Sequence, residues 1–408
     1  MSNYTLEPRS EHGVPTKEIM RQFFFFLKTM RNSDIVEKPR SLAELREEIN
    51  IRRRWGSLES GTLALNAKRH PDDLGFVDEE GKLTFQEFFD RVYRLAHALQ
   101  ERGIREGSNV AVMALNGRAA VFPLCARQLL GYHIFMVNAN SSGKQIQGVL
   151  DFHEIDTFIV DQEFYDKLLP ETKDRYDIII GFVDDSRRLD DVPTMAGLIE
   201  QTVLNVGEDR LPAKPSKSHH VVMTSGTTGM PKGVIRRQLL SPQGIAPALA
   251  AVPWRRGMKV FVQGTLFHFY GWGILMVTLV SGSAVITRRK HSSEQTLQII
   301  RDYDVNGWCS SASRLRAMIA ELDKRGASEV RGLEWITSSG SPLTRFEVEK
   351  ITKYFGPILV NSYGSTETAA IAMSPGKMLA DDPQLTGQIF PGGMVEILSL
   401  IHISEPTR

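Results

Sequence analysis

Apolar residues recur along the chain at two different spacings, and the alternation between them predicts an α/β fold. Thr84 and Glu87 stand at capping-box spacing, and Gly103 offers a natural end for the helix that follows. Between them, the apolar residues recur every three or four positions: Phe85, Phe88, Phe89, Val92, Leu95, Ala96 and Leu99. Short apolar runs separated by helical patterns come next, at residues 110–115, 134–138, 157–160 and 178–182. Such runs are typical of buried parallel strands with both faces covered.

The chain is too long for one ordinary hydrophobic core, because domains with a single core rarely exceed about 250–300 residues. Its 408 residues therefore predict two packed α/β subdomains with mostly parallel sheets. A polar link containing Pro212 and Pro215 separates them. The predicted segments are an N-terminal helical extension (1–60), a first α/β subdomain (61–210) and a second α/β subdomain (211–380).

The overall charge and the cysteines exclude several classes of protein. The net charge is +1, which argues against a nucleic-acid partner, since such domains are usually strongly basic. The two cysteines, Cys125 and Cys309, are far apart in sequence, which excludes a disulfide scaffold and a thiolate zinc site. Two unpaired cysteines fit a reducing compartment, and we expect a cytoplasmic protein, with association with a membrane as the alternative.

Two apolar segments raise the question of a membrane. The segment 261–286 contains His268 and four glycines, so we interpret it as a buried strand, loop and helix, with a transmembrane segment as the alternative. The run Phe23–Leu27 is far too short to span a bilayer. Together with Arg52–Arg54 it allows peripheral contact with a membrane, although a short charge run is more often a solvated face.

Charge is distributed unevenly along the chain. From Arg210 through Ser293 there is no Asp or Glu, whereas Lys and Arg number twelve. This concentration of positive charge is either a basic surface without a ligand or a site for a polyanion.

Inside this basic stretch lies a run rich in hydroxyl groups and glycine, Thr224-Ser225-Gly226-Thr227-Thr228-Gly229, which Lys232 follows. Glycines allow close approach of the backbone, hydroxyl and amide groups donate hydrogen bonds, and lysine supplies charge, so the run suits phosphate. It is not a Walker loop, because Pro231 and Gly233 occupy positions where that loop needs glycine and Ser/Thr. Proline also disfavours a helix opening directly after the loop.

The whole run resembles the phosphate-loop signature of the adenylate-forming superfamily, which includes acyl-CoA synthetases, firefly luciferase and peptide-synthetase adenylation domains. The resemblance implies that residues 224–229 contact the phosphates of ATP, that Thr224 and Lys232 take part in catalysis, and that Thr228 helps to hold Mg²⁺.

Three further runs resemble elements of the same family in the same order. The first, Thr265 to Gly273, resembles the element bordering the acyl pocket, which implies that His268 positions the carboxylate and that Gly271 and Trp272 contact substrate. The second, around Gly340-Ser341-Pro342, resembles the turn lining the adenine pocket. The third resembles the Y-G-x-T-E element and comprises Asn361, Ser362, Tyr363, Gly364, Thr366 and Glu367. The resemblance implies that these residues contact the nucleotide and that Glu367 acts in catalysis and binds Mg²⁺.

The residues around the acyl element favour a fatty acid as substrate. The basic stretch offers no carboxylate to anchor an amino group, and the residues after His268 are apolar and aromatic, which suits a hydrocarbon chain. Trp272 resembles the aromatic gate of long-chain synthetases, with simple core packing as the alternative. Aryl acids and luciferin-like substrates are the alternative substrates.

The resemblance implies a two-step reaction with ATP, Mg²⁺ and coenzyme A. A fatty carboxylate attacks the α-phosphate of ATP and releases pyrophosphate, and the CoA thiol then attacks the acyl-adenylate. Residues 381–398 resemble the start of the family's small β-barrel, whereas residues 399–408 resemble nothing in the family and are expected to be a non-native tail. We expect an N-terminal portion that is inactive without its C-terminal lid. A nucleotide- or acyl-binding protein without catalysis is the alternative.

Overall fold

The strands form two mostly parallel sheets, as the sequence predicts. The computed structural model describes residues 16–33, 35, 37–184, 189, 191–204, 211–215, 218–224, 232–236, 249–327, 329–366 and 368–389. Within these ranges, one sheet has six strands and the other has nine.

The six-stranded sheet is parallel except at one edge. Its strands, in spatial order, are β6 (Asp177–Ile180), β5 (Thr157–Val160), β3 (Asn109–Met113), β4 (His133–Met136), β7 (His220–Thr224) and β8 (Lys232–Arg236). Only β8 runs antiparallel to its neighbour, pairing Lys232 with Thr224. Four of these strands match the apolar runs of the sequence to within one or two residues, which confirms that part of the prediction.

The nine-stranded sheet has a parallel centre and antiparallel edges. Its strands, in spatial order, are β15 (Gln388–Ile389), β14 (Ala369–Ser374), β13 (Leu359–Ser365), β12 (Trp335–Ser339), β11 (Gly307–Ser311), β9 (Lys259–Val262), β10 (Ala284–Ile286), β1 (Leu74–Asp78) and β2 (Gly81–Thr84). From β13 to β1 every pair is parallel, whereas β2, β14 and β15 pair antiparallel with their neighbours.

Helices connect and flank the strands. Their bounds are α1 (Thr16–Asn32), α2 (Leu42–Trp55), α3 (Glu59–Arg69), α4 (Phe85–Glu101), α5 (Arg118–Leu130), α6 (Gly143–Phe152), α7 (Gln162–Tyr165), α8 (Pro170–Arg175), α9 (Met195–Gln201), α10 (Phe269–Val280), α11 (Ser293–Asp302), α12 (Ala312–Lys324), α13 (Arg345–Phe355) and α14 (Gly376–Asp381). At the start of α4, Thr84 and Glu87 make both hydrogen bonds of the predicted capping box. Gly103, with φ +94°, follows the end of α4, as expected.

The two sheets exchange segments across the predicted division at residue 210. Strands β1 and β2 precede that position but belong to the nine-stranded sheet, and β7 and β8 follow it but belong to the six-stranded sheet. The predicted division at residue 210 therefore does not separate the strands of one sheet from those of the other. The subdomain boundaries 1–60, 61–210 and 211–380 stay a prediction.

The apolar segment 261–286 forms the end of β9, then α10 and β10, as its glycines and histidine suggest. No helix in the described ranges is long and apolar enough to cross a membrane. Of the residues expected to begin a β-barrel, 381–389 are described and end in the edge strand β15; the remainder, and the tail 399–408, lie outside the described residues.

Candidate functional site

The parallel centre of the nine-stranded sheet brings two predicted motifs and the start of a third to one edge. Strands β9, β11, β12 and β13 are neighbours with the same direction, so their carboxyl ends lie along the same edge. His268 follows β9, Gly340 to Pro342 follow β12, and Asn361 to Gly364 lie within β13. In open α/β sheets, ligands bind beyond such carboxyl ends.

Hydrogen bonds tie these segments to one another. The Ser339 hydroxyl donates to the carbonyl oxygen of Ser362 over 2.9 Å, which joins the turn after β12 to the strand of the tyrosine motif. The Tyr270 hydroxyl donates to Oγ1 of Thr337 over 2.7 Å, which joins the start of α10 to β12. The three motifs therefore have fixed relative positions.

Polar groups at this edge lack partners. Two buried atoms, Oγ of Ser338 and Oδ1 of Asn361, make no hydrogen bond among the described residues. The two residues stand opposite each other on the neighbouring strands β12 and β13. Buried polar atoms are normally hydrogen-bonded, because leaving one unpaired costs about 1–3 kcal/mol. Unsatisfied polar atoms at the edge fit a polar ligand such as a nucleotide.

Tyr363 presents its ring to solvent, since 54% of the residue is exposed. A large exposed aromatic ring at the end of a strand offers a face for stacking a base. Glu367, the predicted magnesium ligand a little further along the same motif, lies outside the described residues.

The phosphate motif lies between two strands of the six-stranded sheet. Thr224 ends β7, and Lys232 begins β8, which returns antiparallel beside it. The predicted absence of a helix directly after this loop is confirmed, because a strand follows. Ser225, Gly226, Thr227, Thr228 and Gly229, with the side chains of Thr224 and Lys232, lie outside the described residues.

His268 stands at the N-cap position of α10 without a side-chain capping hydrogen bond, and it is exposed. Partial burial lowers the pKa of His268 below its ordinary value, which favours the neutral imidazole. A neutral ring can accept or donate a hydrogen bond but supplies no charge, which agrees with a positioning role better than with neutralisation of a carboxylate.

Gly271 has a steric reason to be glycine. A Cβ on this residue would lie 2.4 Å from the carbonyl oxygen of Thr265 and 2.6 Å from that of Gly264. These are backbone atoms of the loop between β9 and α10, so they cannot move aside as the end of a side chain can. The close approach fixes how that loop meets the helix.

Gly271→Ala is expected to destabilise the protein by about 1–3 kcal/mol, because overpacking against backbone forces the loop to shift. Gly273 is the matched control in the same helix, where an added Cβ would meet nothing within 4 Å. Gly273→Ala should leave stability unchanged or raise it by up to about 1 kcal/mol. Thermal melting of both variants measures the difference. Equal midpoints would show that the close approach at Gly271 is not maintained.

Asn116 links the two sheets and was missed by the sequence analysis. From the loop after β3 in the six-stranded sheet, its amide donates to the carbonyl oxygens of Val262 at 3.1 Å and Gly264 at 2.8 Å. Its own Oδ1 accepts from the amide of Leu266 at 3.0 Å. This buried side chain therefore holds the loop that leads to His268. Its only sequence signal is a polar residue directly after an apolar strand.

A buried charged network was also missed. Glu59 and Arg127 are 0% and 1% exposed and form an ion pair of 2.9 Å. The second carboxylate oxygen of Glu59 accepts from the indole nitrogen of Trp272, also at 2.9 Å. Arg127 in turn donates to the carbonyl oxygen of Ser218 at 2.8 Å. The network joins α3, α5 and α10 to the residues that precede β7.

Trp272 is therefore packed and hydrogen-bonded on several sides. It is 4% exposed, and its ring centroid lies 4.7 Å from that of His220 and 5.4 Å from that of Phe269. Its contact with an acyl chain stays a prediction, whereas the alternative of core packing has the support of these described contacts.

Several basic residues of this stretch pair with acids from other parts of the chain. Among its described side chains, Arg256 pairs with Glu37 at 2.7 Å and Lys259 with Asp304 at 3.3 Å. Further pairs join Arg255 to Glu334, Arg289 to Asp161 and Glu163, and Lys290 to Glu163. The positive field expected from the sequence is therefore much weaker at these positions.

Comparison with known proteins adds family relationships to this geometry. The family model described as AMP-binding enzyme matches residues 63–400. A 2-succinylbenzoate–CoA ligase of Listeria innocua is 26% identical over 301 residues, which cover 74% of this chain and 59% of that protein. A fatty acid–[acyl-carrier-protein] ligase of Streptomyces coeruleorubidus is 24% identical over 354 residues, covering 81% and 63%. The chain thus spans about 60% of the length of these relatives.

The fold is similar to that of solved structures. The o-succinylbenzoate CoA synthetase of Bacillus subtilis, solved with its acyl-adenylate intermediate, superposes with a TM-score of 0.67 at 20% identity. The match covers 82% of this chain and 64% of that one. At this identity the likeness concerns the fold alone.

Proposed function

The chain belongs to the AMP-binding enzyme family, and from that premise we propose that it carries the nucleotide and acyl sites of an enzyme that activates a fatty acid. In the proposed reaction, a carboxylate oxygen attacks the α-phosphorus of ATP and pyrophosphate leaves. The thiol of coenzyme A then loses its proton and attacks the acyl carbon of the adenylate, and AMP leaves as the thioester forms. The observation that carries the proposal is the set of motifs at the carboxyl edge of β9, β12 and β13, where Ser338 and Asn361 leave polar atoms unsatisfied.

The nucleotide is proposed to lie along that edge. Tyr363 would stack against adenine, and the turn Gly340–Pro342 (which includes Ser341) would border the adenine. The other members of the tyrosine motif would lie beside the ribose and the α-phosphate: Asn361, Ser362, Gly364 and Thr366. The phosphates would meet Lys232 and the hydroxyl and amide groups of residues 224–229. Glu367 and Thr228 supply oxygen ligands of the kind Mg²⁺ prefers. Mg²⁺ would offset phosphate charge.

A fatty acyl group is favoured by the residues around α10. This helix carries no charged residue between Phe269 and Val280, and His268 precedes it at the edge of the sheet. A neutral histidine can hydrogen-bond the carboxylate, and Gly271 keeps the loop close to the helix. One relative carries the name of a fatty acid ligase and another that of an aryl acid ligase. An aryl-CoA ligase, or a luciferase-like enzyme, is therefore the second candidate.

A nucleotide- or acyl-binding protein without catalysis is a separate candidate. Binding of ATP and fatty acid with no exchange of pyrophosphate into ATP, in a protein that contains this chain together with any segments that follow it, would favour that function.

The test concerns the phosphate loop. Thr224→Val and Thr228→Val each remove a hydroxyl donor while keeping the side-chain shape. Each lost hydrogen bond to a charged phosphate is expected to cost about 1.5–3 kcal/mol, or roughly 10- to 150-fold in kcat/KM for ATP. Pyrophosphate release in the presence of a panel of fatty and aryl acids measures this step before coenzyme A enters, in a protein that contains this chain together with any segments that follow it.

Thr224→Ser and Thr228→Ser are the matched controls, because serine keeps the hydroxyl group. They should retain most of the activity. Valine variants as active as the serine variants would refute the assignment of this loop to ATP, and a preference for aryl over fatty acids would refute the choice of substrate.

A further inference from the structure

The N-terminal helix α1 exposes an apolar stripe that the proposed reaction does not use. Met20, Phe23, Phe24 and Leu27 stand at i, i+3, i+4 and i+7, so they lie on one face of the helix. Their exposed fractions lie between 45% and 60%. Two large aromatic rings side by side in solvent are unfavourable, because both leave apolar area in contact with water. Such a face requires a covering surface.

The opposite face of α1 already contacts the protein. Thr29 is 8% exposed, and it stands two positions after Leu27, about 200° around the helix. Phe25 is half-buried, and because it stands four positions before Thr29 it lies on the same face of the helix as Thr29. The helix therefore lies with one side against the protein and with its apolar stripe directed outward.

Basic residues border the stripe. Arg21 and Lys28 each follow a stripe residue by one position, which places them about 100° to one side of it, and both are exposed. Arg31 is exposed in the last turn, four residues after Leu27. The helix contains four basic residues, Lys17 included, against the single acid Glu18. Long basic side chains at the edge of an apolar face can reach anionic headgroups while the face enters the interface.

The next helix repeats the arrangement. On α2, Leu42, Leu45 and Ile49 stand at i, i+3 and i+7, and all three are exposed. The last turn of α2 carries Arg52, Arg53 and Arg54. Two consecutive helices thus combine an exposed apolar stripe with a basic end, which is unusual for the free surface of a protein.

We propose that α1 docks the protein on an anionic lipid bilayer, lying in the plane of the interface with Met20, Phe23, Phe24 and Leu27 inserted among the lipid chains. The charge of the helix decides between occupants. A second copy of the same helix would bring two sets of basic residues together and be repelled, whereas each Lys or Arg near the surface would attract anionic headgroups. The proposal does not depend on which acid the enzyme activates.

The test is sedimentation with vesicles of phosphatidylcholine alone and of phosphatidylcholine mixed with phosphatidylserine. We expect binding to the mixed vesicles that falls with added salt and is much weaker on phosphatidylcholine alone. The double variant Phe23→Glu/Phe24→Glu should lower partitioning at least about tenfold, and Lys28→Glu about fivefold or more.

The control variant is Phe152→Glu, which changes a phenylalanine exposed to 74% at the end of α6, outside the two N-terminal helices. It should bind the mixed vesicles as well as the unchanged protein does. Far-UV circular dichroism checks that all variants fold, and Phe24→Trp with brominated lipids provides a second measurement, because insertion should quench the added tryptophan.

Three results would overturn the proposal. The first is absence of binding to the mixed vesicles. The second is a loss of binding in Phe152→Glu equal to that in the double variant. The third is a dimer that light scattering detects without lipid and that Phe23→Glu/Phe24→Glu abolishes, together with no quenching in the Phe24→Trp variant; a second copy would then cover the stripe.

Discussion

Glu59→Ala is expected to destabilise the protein by about 3–5 kcal/mol, because it leaves the buried guanidinium of Arg127 without its counter-charge. Among the residues that the structure describes, Arg127 would keep the neutral oxygens of Ser218 as its hydrogen-bond acceptors. The indole N–H of Trp272 would lose its acceptor as well. Urea unfolding followed by circular dichroism measures the loss.

An exposed ion pair is the matched control for this substitution. Glu329 pairs with Arg331 at 3.0 Å, but their side chains are 51% and 85% exposed. Solvent-exposed pairs contribute about 0–1 kcal/mol, so Glu329→Ala should change little. Equal effects of the two substitutions would show that Glu59 and Arg127 are not buried together in solution.

The same substitution should also affect the proposed site, because Ser218 stands two residues before β7, the strand that ends at Thr224. Displacing Arg127 is therefore expected to raise the KM for ATP in addition to lowering stability. Glu59→Gln separates the two contributions, since glutamine can still accept from Trp272 but carries no charge for Arg127. Stability in Glu59→Gln should fall between those of the unchanged protein and Glu59→Ala.

Trp272→Ala is expected to destabilise the protein by about 3–5 kcal/mol, the usual loss for removing a large buried aromatic side chain. The cavity would face His220 and Phe269, and Glu59 would lose a donor. Thermal melting measures the stability, and an assay over acids of increasing length measures the substrate profile. If Trp272 is core, the midpoint falls and the profile keeps its shape.

Trp272→Phe is the companion variant, because it keeps a ring and removes only part of the volume and the N–H group. Its loss of stability should be smaller than that of Trp272→Ala. A shift of the length profile toward longer or bulkier acids with little change in melting temperature would contradict the core interpretation. The gate suggested by the resemblance would then be correct.

Much of the fold could be predicted from local sequence. The capping box at Thr84, the helix after it and four strands of the six-stranded sheet follow from spacing alone, because a buried helix face and a buried strand require different periods of apolar residues. The candidate site could be predicted only from motif strings. Neither Tyr363 nor His268 is distinctive as a single residue, and the recognisable information lies in the order of the motifs.

The remaining site residues were not predictable because their partners are distant in sequence. Asn116 reaches the carbonyl oxygens of Val262 and Gly264, about 150 positions further along. Glu59 stands at the boundary of a polar, helical segment, where a carboxylate would ordinarily be expected in solvent. The position of Arg127 within the apolar sequence of α5 does indicate that it is buried. Burial alone does not identify its partner.

By itself the sequence determined the kinds of element, the order of the motifs and the family, because these depend on local periodicity and on contiguous strings. Only the tertiary structure decided which sheet each strand joins, since apolar strands such as β1 and β7 satisfy the same pattern in either sheet. It also decided the electrostatics. The twelve basic residues between Arg210 and Ser293 predicted a strong positive field, but folding brings acids such as Glu37, Asp161 and Glu334 against several of them. The sequence gives the net charge of a segment, whereas the electrostatic field at its surface depends on which charges of the whole protein lie close together in space.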